Sequence, residues 1–281
     1  MTESRPSPVL LVARQELLLA ARSRWTQIFA AVFALLALGV SASGYILSGG
    51  RGFQDFARTS ASLVQLVVLL VPLASLLMGV LALAPEHGTA ELLFSQPISR
   101  RTILAGKLLG LFTALAAAEL VGFGLAGLVV FSSTGEEGGG GYAILVLGSL
   151  LLTAAFLAVA ALVAAGAVGR KRARALALAL VIWFVAAILF DLVALGAASL
   201  LRSTAASRLL ILSVLVNPAG AVRVGALLGI EGTAAFGPAS LAFLRFTGGA
   251  AGAAMLLAGS VLAWVVLPTL AAMRRLSRVD I

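Results

Sequence analysis

The sequence predicts an all-α membrane protein of six transmembrane helices with both termini on one side of the bilayer, and three observations predict it. First, the chain of 281 residues is 61% hydrophobic and only 11% charged, against roughly 25% charged residues in a soluble domain. With a mean hydropathy of +1.12, it has too little polar surface to cover a water-facing globule. Second, six apolar runs each reach the ~18 residues that a bilayer-crossing helix needs. Third, the basic residues segregate to alternate loops.

The six spans are expected at residues 25–47, 61–84, 108–131, 143–168, 175–201 and 246–273. Backbone polar groups in hydrocarbon must bond within their own segment, so these read as helices, and they read as continuous ones. Before the first span, residues 8–24 have a helical pattern of Leu10, Ala13, Leu17, Ala20 and Ala21, with Arg14 and Arg22 elsewhere on the wheel. This pattern fits either an interfacial helix lying on one leaflet or an extension of the first span. Arg14, Gln15, Glu16, Arg22 and Arg24 interrupt the apolar stretch and no small-residue cleavage site follows, so the first span is expected to stay in the mature protein. A polar loop at residues 85–107 joins spans two and three. Gly138 to Gly141 reads as a flexible linker before span four.

Between spans five and six, residues 202–245 hold two short apolar runs, 209–216 and 221–230, separated by Asn217-Pro218. Two short helices around such a break suggest a re-entrant or surface-lying hairpin; ordinary loop helices fit equally well. Arg223 and Glu231 are its charged members. No internal repeat is visible, and the whole chain, 1–281, reads as one membrane domain.

The net charge of +9 orients the chain rather than marking a nucleic-acid surface, because no basic stripe carries interleaved aromatics. One set of loops and ends holds Arg5, Arg14, Arg22, Arg24, Arg100, Arg101, Lys107, Arg170, Lys171, Arg172, Arg174, Arg274, Arg275 and Arg278, which is 14 of the 20 basic residues. That set is assigned to the cytoplasm, and both termini with it. Residues 202–245 are then external.

Several chemistries lack their residues. There is no cysteine, hence no disulfide or thiolate site. No G-x-x-x-x-G-K-[ST] segment can cradle a nucleotide phosphate. The single histidine, His87, lies in a polar loop, which leaves nothing for an intramembrane protease. Met78, Met255 and Met273 do not pair within one helix as a copper path would need. No metal site and no cofactor of its own is expected.

Two acids fall inside spans. Glu119 is near the middle of the third and Asp191 is in the second half of the fifth. An acid at that depth costs about 2.5–3.5 kcal/mol on insertion scales, so it faces the bundle interior or water. For Glu119 a structural hydrogen bond is the expected role. For Asp191 a structural role and a place on a substrate path or inter-helix latch stand level.

The loop at 85–107 carries the sharpest pattern. Thr89 can cap a short helix, with Glu91 two residues on. Leu92, Leu93 and Phe94 form an apolar knob, Pro97 ends the element, and Arg100 and Arg101 begin the next helix. A knob of this kind needs a partner surface. In the order Glu86, Gly88, Thr89, Leu92, Leu93, Pro97, Ile98, Ser99, Arg100, Gly106, Lys107, the loop resembles the coupling-helix segment of type-2 ATP-binding-cassette permeases. The layout of the rest of the chain is similar to that family as well. Phe190-Asp191-Leu192, Asn217-Pro218, Arg223 and Gly229-Ile230-Glu231-Gly232 look most like the permeases of the nitrous-oxide-reductase maturation system.

The resemblance implies a non-catalytic membrane subunit working as a homodimer, with a cytoplasmic ATPase dimer that binds ATP and Mg. For the narrower subgroup it implies a periplasmic β-helical partner, a copper chaperone, and a role in building the reductase's copper–sulfur centre, in the inner membrane of a bacterium. A general exporter of lipid, drug or other hydrophobic cargo is the broader alternative. An ATP-independent carrier built on Glu119 and Asp191 would need inverted-repeat halves, and the sequence shows no convincing match between halves.

Overall fold

The computed structural model describes residues 7–48, 53–84, 99–134, 139–167, 172–235 and 238–278. Among them every regular element is a helix: α1 (Pro8–Arg22), α2 (Arg24–Ser48), α3 (Phe53–Leu83), α4 (Arg100–Thr134), α5 (Gly139–Gly166), α6 (Arg172–Ser199), α7 (Ser203–Val216), α8 (Pro218–Glu231), α9 (Pro238–Thr247) and α10 (Ala250–Arg278). Six of these, α2 to α6 and α10, are long and apolar enough to cross a bilayer. α2, α6 and α10 leave long rows of Leu, Val, Ile and Trp side chains outside the bundle. Such rows are stable only where the surrounding solvent is itself hydrocarbon, or where another chain covers them.

Local sequence sets the breaks. Ser7 caps α1 by accepting from the Leu10 N–H at 3.4 Å, ahead of Pro8. Ser23, in extended conformation, separates α1 from α2, so residues 8–24 do not simply continue the first span. Three expected boundaries move. The glycines at 139–141 form the first turn of α5 rather than a linker, because Gly141 must pass close to α8: a Cβ there would lie 2.8 Å from Ile230 Cγ1. The last span starts at Ala250 rather than 246, because Gly248 and Gly249 take φ of 77° and 115° and end α9. The third span is extended back to Arg100, where the Ser99 hydroxyl accepts from the Thr102 N–H at 3.2 Å.

The spans are also less regular than their composition suggests. α6 contains a π-helical turn at Val185–Leu189, and α3 and α10 carry Pro72 and Pro268 in their interiors. A proline removes one rung of the helix ladder. Side chains bond the carbonyls nearby: Trp183 Nε1 donates to Leu69 O at 2.9 Å, and Thr269 Oγ1 donates to Val265 O at 2.7 Å.

α5 is the central helix. It packs on α3, α4, α8 and α10, and its buried face is rich in alanine from Ala155 to Ala165, which lets neighbouring backbones come close. α4 packs on α2 and α1, and α6 rests mainly on α3. A chain of rings, Phe29–Phe33–Phe123–Tyr142–Phe131, with centroids 5.2 to 6.0 Å apart, fills the space between α2, α4 and α5.

Candidate functional site

One end of the bundle gathers the basic residues. Arg100 at the start of α4 donates to Leu276 O near the end of α10 at 3.0 Å. Lys107 Nζ donates to Ala82 O at the end of α3 at 3.0 Å, and Arg172 at the start of α6 donates to Leu81 O. Cations at helix C-termini meet carbonyls with no partner of their own and the negative end of the macrodipole. The starts of α4 and α6 and the ends of α3 and α10 therefore share this end.

α1 is attached to the same end by a second device. A Cβ at Gly106 would lie 2.6 Å from Val12 Cβ, and one at Gly110 would lie 2.5 Å from Ala13 O. The pair Gly106-x-x-x-Gly110 is thus a groove into which the α1 backbone fits. Lys107, between them, pairs with Glu16 of α1 at 3.4 Å, and Glu16 is buried. The contact stripe of α1 is Ala13, Glu16 and Ala20, while Leu10, Leu11, Leu18 and Leu19 stay about half exposed. Of the apolar pattern Leu10, Ala13, Leu17, Ala20 and Ala21, Ala13 and Ala20 are buried and Leu17 packs beside them, while Leu10 is exposed. The groove needs small residues rather than large apolar ones.

Of the residues singled out for coupling, Arg100 and Arg101 lie in the first turn of α4. Glu86, Gly88, Thr89, Glu91, Leu92, Leu93, Phe94 and Pro97 lie outside the described residues. What the structure gives is the frame on both sides of them: Leu81 and Ala82 before, Ser99 to Lys107 after, joined by the Lys107–Ala82 bond.

The opposite end is shaped by α7 and α8. They form a bent pair with 105° between axes. α6 runs away from the basic end and α10 returns to it, so this pair must enter and leave from the far end. The tail of α8 agrees: Gly229 and Ile230 press on Ile144 and Gly141 at the start of α5. The vertex reaches the middle of the bundle, because Asn217 Nδ2 donates to Ala186 O halfway along α6 at 2.7 Å. Ser260 Oγ and Trp264 Nε1 of α10 donate to Leu215 O and Val216 O at 2.5 and 2.8 Å. Asn217 Oδ1 accepts from the Ala219 N–H at 3.1 Å and caps α8 in front of Pro218. These backbone groups opened by the break have protein partners, as backbone at membrane depth requires. Residues 202–245 thus hold a bent helix pair whose break at Asn217-Pro218 bonds to α6 and α10.

The hairpin brings together residues far apart in sequence. Arg223 of α8 pairs with Asp191 of α6 at 2.7 Å, each side chain about one-quarter to one-third exposed. The pair borders a cleft of about 400 Å³ between α6, α7, α8 and α9. Asn217 binds α6 at the π-helical turn, less than two turns before Asp191, so the hairpin holds α6 at two points. Glu231 ends α8 and is half-buried, away from this pair. Glu119 has a separate role: it is fully buried, and it accepts from Ser149 Oγ at 2.5 Å and from Thr153 Oγ1, one turn apart on α5. That bond locks α4 to α5, and the two acids serve different helix pairs. Among the described residues no group of three His, Cys, Asp or Glu comes together.

The ion pair makes a direct prediction. Asp191→Arg or Arg223→Asp alone places like charges together and lowers the unfolding midpoint in detergent. The exchange Asp191→Arg with Arg223→Asp recovers most of the loss, with a coupling energy of about 1–3 kcal/mol in a double-mutant cycle. Additive losses would show that the contact is incidental.

Signals for several of these contacts are present in the sequence. Gly110 stands four residues after Gly106, Glu16 falls on the small-residue stripe of α1, and Ser149 and Thr153 are a polar pair at helical spacing. The π-helical turn had no signal.

Six helices long and apolar enough to cross a bilayer, a helix clasped to one end and a bent helix pair at the other define a polytopic membrane protein. The family model for the ABC-2 family transporter protein matches residues 10–281, and the chain belongs to that family. It is similar to the "Probable ABC transporter permease protein NosY" of Pseudomonas aeruginosa, at 36% identity over 240 residues, 83% of this chain and 86% of the relative. It is similar also to the protein of the same name from Stutzerimonas stutzeri, at 37% identity over 228 residues, 79% of this chain and 82% of the relative. This chain is thus the membrane subunit of an ABC transporter.

Proposed function

We propose that the chain converts ATP hydrolysis by a separate cytoplasmic ATPase dimer into movement of its helices, working as a pair of identical copies. The ATPase subunits hold ATP and Mg; this chain holds neither and catalyses nothing itself. The basic end faces the cytoplasm of a bacterium's inner membrane, in keeping with the excess of Lys and Arg there. Segment 85–97 is the coupling helix, with Leu92, Leu93 and Phe94 seated in the ATPase.

The observation that carries this reading is the clasp beside that segment. Lys107 bonds Ala82 O on one flank and Glu16 on α1, so a push on the loop reaches α1, α3 and α4 together. Closure of the ATPase dimer would therefore displace a unit of three helices rather than a loose loop.

We further propose that the work serves maturation of the copper–sulfur centre of nitrous oxide reductase, by export of a sulfur species or by mechanical transmission. A periplasmic β-helical protein and a copper chaperone would be the external partners. Likeness to the two NosY permeases supports this. The bent pair of α7 and α8, external in this orientation, is the part placed to move such a partner. A second reading, a permease for hydrophobic cargo, is favoured by an apolar cavity of about 500 Å³ between α5, α8, α9 and α10.

The test is co-reconstitution of the chain with its ATPase in liposomes. Hydrolysis rises above that of the ATPase alone. Unchanged hydrolysis, in a complex that still assembles, would sink the coupling role.

A further inference from the structure

We infer that the cleft where α5 ends, between the start of α6 and the end of α10, is a binding site for the headgroup of an anionic phospholipid of the surrounding bilayer. The cleft has a volume of about 320 Å³. Its floor is apolar, with Leu162 and Val163 from α5 and Leu178 from α6, and its rim holds Arg174 and Arg275. Both guanidinium groups are exposed, and among the described residues neither has an acidic partner. Residues 162–190 and 262–278, which build the three helix ends, contain no Asp or Glu. Gly166 leaves the room, since a Cβ on it would lie 2.9 Å from Arg275 Nη1.

Two features distinguish this cleft from a band of surface charge. The cations line a preformed recess, and Leu178 of α6, which lines it too, is about half exposed. That matches a phosphodiester between the cations with an acyl chain beside Leu178. Basic pockets between transmembrane helices suit acidic headgroups, and each Lys or Arg near the headgroups contributes about 1 kcal/mol. Free phosphate shares the headgroup's chemistry but would gain nothing from the floor. Zwitterionic lipid would fill the floor with far less gain from the rim. A bound anionic lipid would tie the starts and ends of α5, α6 and α10 together beside the coupling segment, where composition of the bilayer could set transporter activity.

The test is native mass spectrometry of the full-length chain in mild detergent, delipidated and then offered phosphatidylglycerol, phosphatidylcholine or inorganic phosphate. The wild type retains phosphatidylglycerol in preference to phosphatidylcholine, and phosphate does not displace it. Arg174→Gln with Arg275→Gln binds roughly thirtyfold more weakly, the equivalent of about 2 kcal/mol at 1.4 kcal/mol per tenfold. Gly166→Leu keeps both charges, fills the cleft and also binds weakly. Arg274→Gln, exposed but outside the cleft, binds as the wild type. Monodispersity on size-exclusion chromatography shows that each variant is folded. Equal retention of phosphatidylcholine, displacement by phosphate, normal binding by the double variant or by Gly166→Leu, or equal weakening by Arg274→Gln would each overturn the site.

Discussion

Replacing Leu92 and Leu93 together with aspartate abolishes the chain's stimulation of its ATPase while leaving the bundle folded. The two leucines belong to an apolar knob in a loop that is otherwise polar, and a knob earns its place only against a partner. Two carboxylates would have to be desolvated in that contact. An unpaired buried charge at an interface costs about 2–5 kcal/mol, so coupling falls by at least roughly a hundredfold. The assay is hydrolysis in liposomes beside a melting curve of the purified chain. Stimulation that survives, with the variant folded, means that the knob does not receive the ATPase.

Gly110→Leu detaches α1. The first added carbon would stand 2.5 Å from Ala13 O, 2.8 Å from Glu16 Cβ and 2.9 Å from Leu17 N. Two of these three atoms are backbone and cannot swing aside, so α1 itself must move. Overpacking of this sort costs about 1–3 kcal/mol, and displacement of α1 also separates Glu16 from Lys107. A buried ion pair broken on one side costs about 3–5 kcal/mol, and Glu16→Gln, which leaves the Lys107–Ala82 bond in place, isolates that part. Both variants are expected to lower the unfolding midpoint and to reduce ATPase stimulation together. Gly124→Leu, on the same helix with open space at its Cβ, is the control and leaves both unchanged. A Gly110→Leu protein with full stability would mean that α1 is not clasped.

Much of the architecture was legible because bilayer insertion imposes one rule on each span: enough consecutive apolar residues to cross. Composition and length satisfy that rule without reference to neighbours, so the six spans and the break at Asn217-Pro218 stood out. Packing follows a different rule. In hydrocarbon, large apolar side chains gain nothing by facing inward, and close contact is built from glycine, alanine and buried hydrogen bonds. On α1, Ala13 and Ala20 are therefore buried while Leu10 stays exposed, and Gly106 stands out by its place in a pattern rather than by the groove it opens. Asp191 was visible as a costly charge inside a span, and Arg223 as a charged member of the segment between spans five and six. Their pairing was not, because it depends on how α8 folds back against α6 after the break at Asn217-Pro218. The glycines at 139–141 misled for a related reason: backbone freedom and close approach call for the same residue.

The central claim is that segment 85–97 faces the cytoplasm and is covered by the ATPase. The chain has no cysteine, so Leu93→Cys creates a single thiol. Labelling that thiol with a membrane-impermeant maleimide, applied from either side of oriented membrane vesicles with and without the ATPase, reads side and cover at once. The account predicts labelling from the cytoplasmic side alone, blocked when the ATPase is bound. Labelling from the external side, or no labelling from either side when the ATPase is absent, would contradict it.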